Sequence, residues 1–319
     1  MWAPGCKPRR SPSCSILPKI LQNMRHQVEG PPNGGVARAA VIIEGPLRRH
    51  VCMPLSELIH SYDHVLLDLD GCVWVSGELT PGAQEALAQL RGAERTVSFV
   101  TNDAARGPEE YVRKLWSLGL KAALEEVVTV GSSLQFLLAG RAHAATAFVI
   151  GSPAVHRHVA DSGQRIVNGT PRASEAELVV VAAHDRLTYE ELRIATRALL
   201  AGAEMIVAGR DLTYPTATGP SPGTGMLVVG LEQATGRLAV NAGKPDPVIF
   251  QTALDRLGPG RSLMVGDRLD SDLAGAAAAG LDGAIVLTGV TTRAEAERAS
   301  DPTPVAIAET LADLVIAAP

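Results

Sequence analysis

From about residue 58 the chain alternates short apolar runs with helical stretches, and this alternation restricts the fold more than any other feature. Strand-like runs fall at residues 64–68, 96–100, 147–150, 178–182, 205–208, 263–265 and 284–287. Thr80-Pro81 predicts an N-cap and first helical position ahead of a helix over residues 83–90. Thr188 and Glu191 predict a capping box for a helix running to about Leu200. Such a βαβα order implies a doubly wound α/β fold, with a mostly parallel sheet covered by helices on both faces. No internal repeat is visible.

In a sheet of that kind ligands sit outside the carboxyl ends of the strands. The polar residues just after strands therefore carry the functional argument. Asp68 and Asp70 end the first run at a glycine turn, Thr101 and Asn102 follow the second, and Gly266-Asp267 follows the run at 263–265. Lys244 lies in a Gly-Lys-Pro-Asp-Pro turn before a helix beginning near Val248. Asp68 and Asp70, spaced i and i+2, share a face if the strand continues through them.

A phosphate monoester suits this set. One carboxylate can attack phosphorus while the other gives and later takes a proton. The dianion repels a carboxylate, so a divalent cation must bridge them, and magnesium suits an all-oxygen site. Asp68 and Asp267 are the natural carboxylate ligands, with the Asp70 backbone carbonyl a third. The Thr101 hydroxyl, backbone N–H groups near Asn102 and the Lys244 ammonium can receive the other phosphoryl oxygens. Each piece has a plainer explanation alone: an Asp-Gly turn, a Thr-Asn turn, acidic residues opening a helix, a solvated lysine. Their ordered recurrence after successive strands favours the site.

Composition narrows the alternatives. At 319 residues one large or two modest domains are expected, and 46% hydrophobic residues suffice for a packed core. A net charge of −5 and only 3% aromatics leave no basic or base-stacking footprint for nucleic acid. The apolar window from Leu273 to Val290 is interrupted by Asp282 and does not read as a membrane span. Cys6, Cys14, Cys52 and Cys72 show no metal-ligand spacing, which fits a reducing cytoplasm without disulfides. The first fifty residues differ: eight basic residues against Glu29 and Glu44 give them +6, so the remainder carries −11. A secretory signal needs an unbroken apolar core, but Ser15 to Leu21 is interrupted by Pro18 and Lys19. This Arg-rich start is similar to an organellar transit peptide. A disordered extension over 1–57, or an over-long gene start with Met53 as initiator, is the favoured expectation.

The ordered motifs Asp68-Leu69-Asp70-Gly71, Val100-Thr101-Asn102, Gly243-Lys244-Pro245 and Gly266-Asp267-Arg268-Leu269-Asp270-Ser271-Asp272 resemble those of the haloacid dehalogenase superfamily. Trp74, the stretch Thr101 to Arg106, Gly243 to Pro247 and Leu287 to Thr291 resemble its NagD-like branch, which contains nitrophenylphosphatases and phosphoglycolate phosphatases. The resemblance covers about residue 60 to the end. It implies that Asp68 is phosphorylated, Asp70 is the acid/base, and Thr101, Asn102 and Lys244 hold the phosphoryl group. It also implies that Asp267 binds magnesium with Asp272 in support. A cap domain at 145–239 would be inserted between core segments 58–144 and 240–319. Asp70 disfavours dehalogenation, which has no leaving oxygen to protonate, and the motif match points to hydrolysis over phosphomutase chemistry. Many members carry asparagine and serines where this chain has Asp103, Ala104 and Ala105, which puts the substrate contacts in doubt.

The expected function is thus cytoplasmic, magnesium-dependent hydrolysis of a small phosphorylated metabolite, without nucleic acid or membrane. A homo-oligomer stays open. The other reading, a non-catalytic ligand-binding or regulatory protein of this fold, needs neither a nucleophile nor an acid/base. Arg210, Asp211 and Tyr214 follow a strand of the cap and are candidates to select the substrate. Gly223-Thr224-Gly225 reads as a turn inside the cap, His156 and His158 as residues of a solvated helix, and Cys72 as a small apolar residue.

Overall fold

The computed structural model describes residues 54–216 and 219–317. The expected extension, apart from residues 54–57, and the Tyr214 side chain lie outside the described residues. Two parallel sheets dominate. The larger has the strand order Ala306–Ala308, Asp282–Val286, Ser262–Gly266, His64–Asp68, Thr96–Thr101, Val127–Thr129. The chain winds from His64–Asp68 first toward Val127–Thr129, then returns to the other side at Ser262–Gly266. The strand order therefore reverses beside His64–Asp68, where a doubly wound sheet leaves a crevice at its carboxyl edge. All five residues of that strand are buried, as helices on both faces require.

The second sheet, within residues 146–241, has the order Ala239–Asn241, Glu204–Val207, Leu178–Val181, Thr146–Ile150, Arg165–Ile166, again parallel. Alternation along the central strands divides the apolar side chains. Val65, Leu67, Phe99 and Val265 pack with Leu87, Leu90 and Leu314 on one face. Leu66, Val100 and Met264 on the other join Leu134, Val149, Val180 and Ile206, so one buried cluster runs from the larger sheet into the second.

The local helix signals fare differently in the fold. Thr188 and Glu191 form the expected capping box of the helix Tyr189–Leu200. Thr80 does not cap: the helix Ala83–Gly92 begins after Gly82, at φ 71°, and the Thr80 hydroxyl instead donates to the Cys72 carbonyl at 2.8 Å. It fastens the hairpin Trp74–Val75/Glu78–Leu79 that follows Asp70. Gly223-Thr224-Gly225 is no free turn but the start of the helix Thr224–Thr235, with Gly223 and Gly225 pressed on the Asp211 and Arg210 carbonyls where a Cβ has no room. Among the described residues no helix is long and apolar enough to cross a membrane.

Candidate functional site

Asp68 is the last residue of the central strand and is buried. The Lys244 ammonium donates to its Oδ1, and to Asp272 Oδ1 at 2.7 Å. Burial pushes the Asp68 carboxyl well above the usual carboxylate range, against the pull of the Lys244 charge. Burial alone would discharge Lys244, but Asp272 and Asp68 outweigh it and hold the ammonium above the ordinary lysine range. A buried cation between two carboxylates is the electrostatic centre of the site.

The turn that delivers Lys244 is held from two sides. Asn102 Oδ1 accepts the Lys244 N–H at 2.8 Å and Asn102 Nδ2 donates to the Lys244 carbonyl at 3.1 Å. Buried Asn241 donates to the Gly243 carbonyl at 2.9 Å and to Asp246 at 2.7 Å, a role that sequence reasoning missed. Gly243 fits because a Cβ there would crowd the Ala208 carbonyl at 2.7 Å and Asn102 Oδ1 at 2.8 Å. The Asn102 side chain thus grips the lysine backbone with its oxygen and one of its two amide N–H groups. Thr101 is buried beside it, its Oγ1 accepting the Asp103 N–H at 3.2 Å.

Asp267 follows the neighbouring strand. Its Oδ2 accepts the Val290 N–H at 2.7 Å, and Gly71 and Gly289 close on its carboxylate with no space for a Cβ. Burial first, then Asp272, raises its pKa to about 6. Its Oδ1 is buried without a partner. A short π-helical turn, Leu269–Leu273, carries Asp272, whose Oδ2 accepts the Arg268 N–H at 3.1 Å. Carboxylate oxygens of Asp68, Asp267 and Asp272 lie within 4.8 Å of one another. Three buried acids against one ammonium, with an orphan oxygen, fit a hard divalent cation that prefers oxygen donors. Asp70 stands apart from that cluster. It is exposed, and its Oδ1 accepts the Trp74 indole N–H at 2.7 Å.

The remaining expectations divide. Arg210 is engaged at the edge of the second sheet, where it donates to Glu232 at 2.9 Å and to the Ala239 carbonyl at 2.9 Å. The helix Thr224–Thr235 runs alongside and supplies the acid that captures it. Asp211 lies 3.6 Å from Arg268, next to Asp267 in sequence, and joins the second sheet's loop to the site's rim. His156 and His158 lie on the helix Pro153–Asp161, which exposes Arg157, Ala160 and Asp161. Both histidines are partly buried, and burial lowers both pKa values. His158 packs over Gly131, with Nδ1 3.1 Å from Gln135 Oε1. Asp103 closes its own loop, accepting from Ala105 N–H at 2.7 Å and from Tyr111 and Arg106 side chains. Cys72 is fully buried, and burial holds its thiol well above the ordinary range, so it is no exposed thiolate.

Family models described as haloacid dehalogenase-like hydrolase and HAD-hydrolase-like match residues 65–165 and 241–314. The chain is similar to a D-glycerol 3-phosphate phosphatase of Mycobacterium tuberculosis, with 38% identity across 74% of this chain and 66% of that protein's length. It is also similar to an acid sugar phosphatase of Staphylococcus saprophyticus, at 32% identity, over 76% of this chain and 93% of that one. Among solved structures, the M. tuberculosis glycerol phosphate phosphatase in complex with magnesium superimposes with a TM-score of 0.74 at 36% identity, covering 82% of this chain and 79% of that one. A 4-nitrophenylphosphatase from Thermotoga maritima gives 0.75 at 30% identity, covering 81% and 98%.

Proposed function

The chain belongs to the haloacid dehalogenase-like hydrolases, among those that cleave phosphate esters, and from that premise we propose that it is a magnesium-dependent phosphatase working through a phosphorylated Asp68. The observation that carries this reading is the Lys244 ammonium held between Asp68 and Asp272, beside the unpartnered Asp267 Oδ1.

Asp68 and Asp267 would hold magnesium with the Asp70 backbone carbonyl, while Asp272 supports the site through Lys244. When bound, the ion supplies positive charge that lets a dianionic phosphate approach carboxylates. The chain's own residues do the rest. Lys244 fixes Asp68 Oδ1, which orients the carboxylate for attack on phosphorus. The Thr101 hydroxyl, the main chain at Asn102 and the Lys244 ammonium receive phosphoryl oxygens. Asp70 protonates the leaving oxygen and then takes a proton from the water that releases phosphate.

Residues 145–239 act as a cap over this edge. Two contacts support that: Ser152 donates to the Ala104 carbonyl at 3.2 Å, and Asp211 faces Arg268. Closure there would exclude water and select the leaving group. The relatives named D-glycerol 3-phosphate phosphatase and acid sugar phosphatase favour a phosphorylated small polyol or sugar. Phosphate release over a panel of metabolite phosphates, with magnesium and with chelator, tests the proposal. The expected result is metal-dependent turnover that Asp68→Asn abolishes; turnover surviving in Asp68→Asn excludes the mechanism.

A further inference from the structure

Asp70 ends on the exposed side of its loop, where a carboxylate ordinarily turns among rotamers. Here it is held. Trp74, four residues on and fully buried, donates its Nε1–H to Asp70 Oδ1 at 2.7 Å. The helix Pro108–Ser117 braces that indole with two residues spaced i and i+3, which share a helix face. The Tyr111 ring lies parallel to the Trp74 ring at 6.3 Å between centroids, and the Lys114 ammonium stands 3.7 Å from the indole centroid. Tyr111 in turn donates its hydroxyl to Asp103 on the loop after Thr101-Asn102. One aromatic brace therefore connects the loop of Asp70 to the loop proposed to hold phosphate.

We propose that Trp74 is the positioning residue of Asp70, fixing the rotation of its carboxyl so that Oδ2 alone exchanges the proton with the leaving oxygen and with water. An indole N–H only donates, so the oxygen it faces must accept, and Oδ2 is left for the proton. The Lys114 charge over the ring draws electron density from the indole and strengthens that donor. In the first step a bond forms between an Asp68 oxygen and phosphorus as the ester P–O bond breaks. The Oδ2 proton passes to the departing oxygen, which leaves as an alcohol. In the second, water attacks phosphorus, its proton goes to Oδ2, and Asp68 departs as carboxylate.

The inference rests on Asp70 as the acid/base, and the test separates the two. Trp74→Phe keeps an aromatic ring against Tyr111 and Lys114 but loses the donor. A second protein with 3-benzothienylalanine at position 74 keeps the outline of the ring pair and replaces N–H by sulfur, so folding is preserved. Both are compared with the wild type on phenyl phosphates graded from nitrophenyl to methoxyphenyl, in magnesium. The loss should grow with leaving-group basicity, reaching roughly 10- to 100-fold in kcat/KM for the methoxyphenyl ester. The first turnover of nitrophenyl phosphate should fall less than about threefold, because that phenolate leaves unprotonated. An equal loss on all esters, or no loss with the isostere, overturns the role of Trp74. If Asp70→Asn itself shows no dependence on the leaving group, the acid/base reading fails instead.

Discussion

Asn102 holds Lys244 by its backbone: Oδ1 takes the lysine N–H and Nδ2 gives to the lysine carbonyl, across 142 positions of sequence. The pair joins the end of the strand Thr96–Thr101 to the turn after Ala239–Asn241, and so fixes where the lysine side chain starts. Asn102→Ala should leave the turn's N–H and carbonyl unpaired, costing about 1–3 kcal/mol of stability. The ammonium should shift from Asp68, and kcat/KM should fall on the order of 100-fold, as expected for a misplaced reacting group. Thermal melts with steady-state kinetics check both. A variant that loses stability but keeps kcat/KM would show that the turn holds its position without Asn102.

The two opening aspartates occupy different environments, and their substitutions should separate. Asp68 is buried against Lys244, whereas Asp70 is exposed and held by Trp74. Asp68→Asn should abolish turnover on every ester. Asp70→Asn should lower turnover of alkyl phosphates by roughly 10²–10⁴-fold, since an alkoxide needs the proton. On nitrophenyl phosphate it should give a burst of nitrophenol no larger than the enzyme concentration, followed by slow release. Equal losses on both ester types with no burst would remove Asp70 from proton transfer.

What could be read from the residues follows from how each signal is made. The strand His64–Asp68 stands out as a buried apolar run before two carboxylates, while Val127–Thr129, Ala239–Asn241 and Ala306–Ala308 have three residues each, too few for periodicity. Asp68, Lys244 and Asp267 are legible because charged residues directly after apolar strands are chemically conspicuous. Asn241 and Trp74 are not, since an asparagine at a strand end and a tryptophan in a hairpin have ordinary uses. Only the fold aims their polar atoms at the lysine turn and at Asp70. The partner of Arg210 is hidden for a related reason: the arginine follows a strand, but the acid that pairs with it, Glu232, comes from a helix whose placement no local pattern specifies.

Arg210 and its neighbour Asp211 should therefore behave differently. Arg210→Ala removes a half-exposed ion pair and a bond to the Ala239 carbonyl, so it should cost about 1 kcal/mol of stability with kcat and KM little changed. Asp211→Asn weakens the contact with Arg268 at the rim and should alter KM or kcat while leaving the melting temperature nearly unchanged. A kinetic defect in Arg210→Ala at full stability would return that arginine to the substrate site.

Asp267 links the metal to pH. Burial and Asp272 raise its pKa from 3.8 to about 6, so the folded protein binds this proton more tightly than the unfolded chain. In metal-free protein its contribution should then fall as pH rises from 3.8 to about 6 and stay constant above, where both states are ionised. Measured as the unfolding free energy of the wild type minus that of Asp267→Asn, the difference should shrink over this window. Magnesium acts in the opposite sense, because it needs the ionised carboxylate and competes with the proton. Its stabilisation of the wild type should be small at pH 5, grow through pH 6 and level off above, and Asp267→Asn should lose most of it. Titrating magnesium by thermal shift at several pH values measures this directly. Stabilisation that does not vary with pH, or that survives in Asp267→Asn, would place the cation elsewhere.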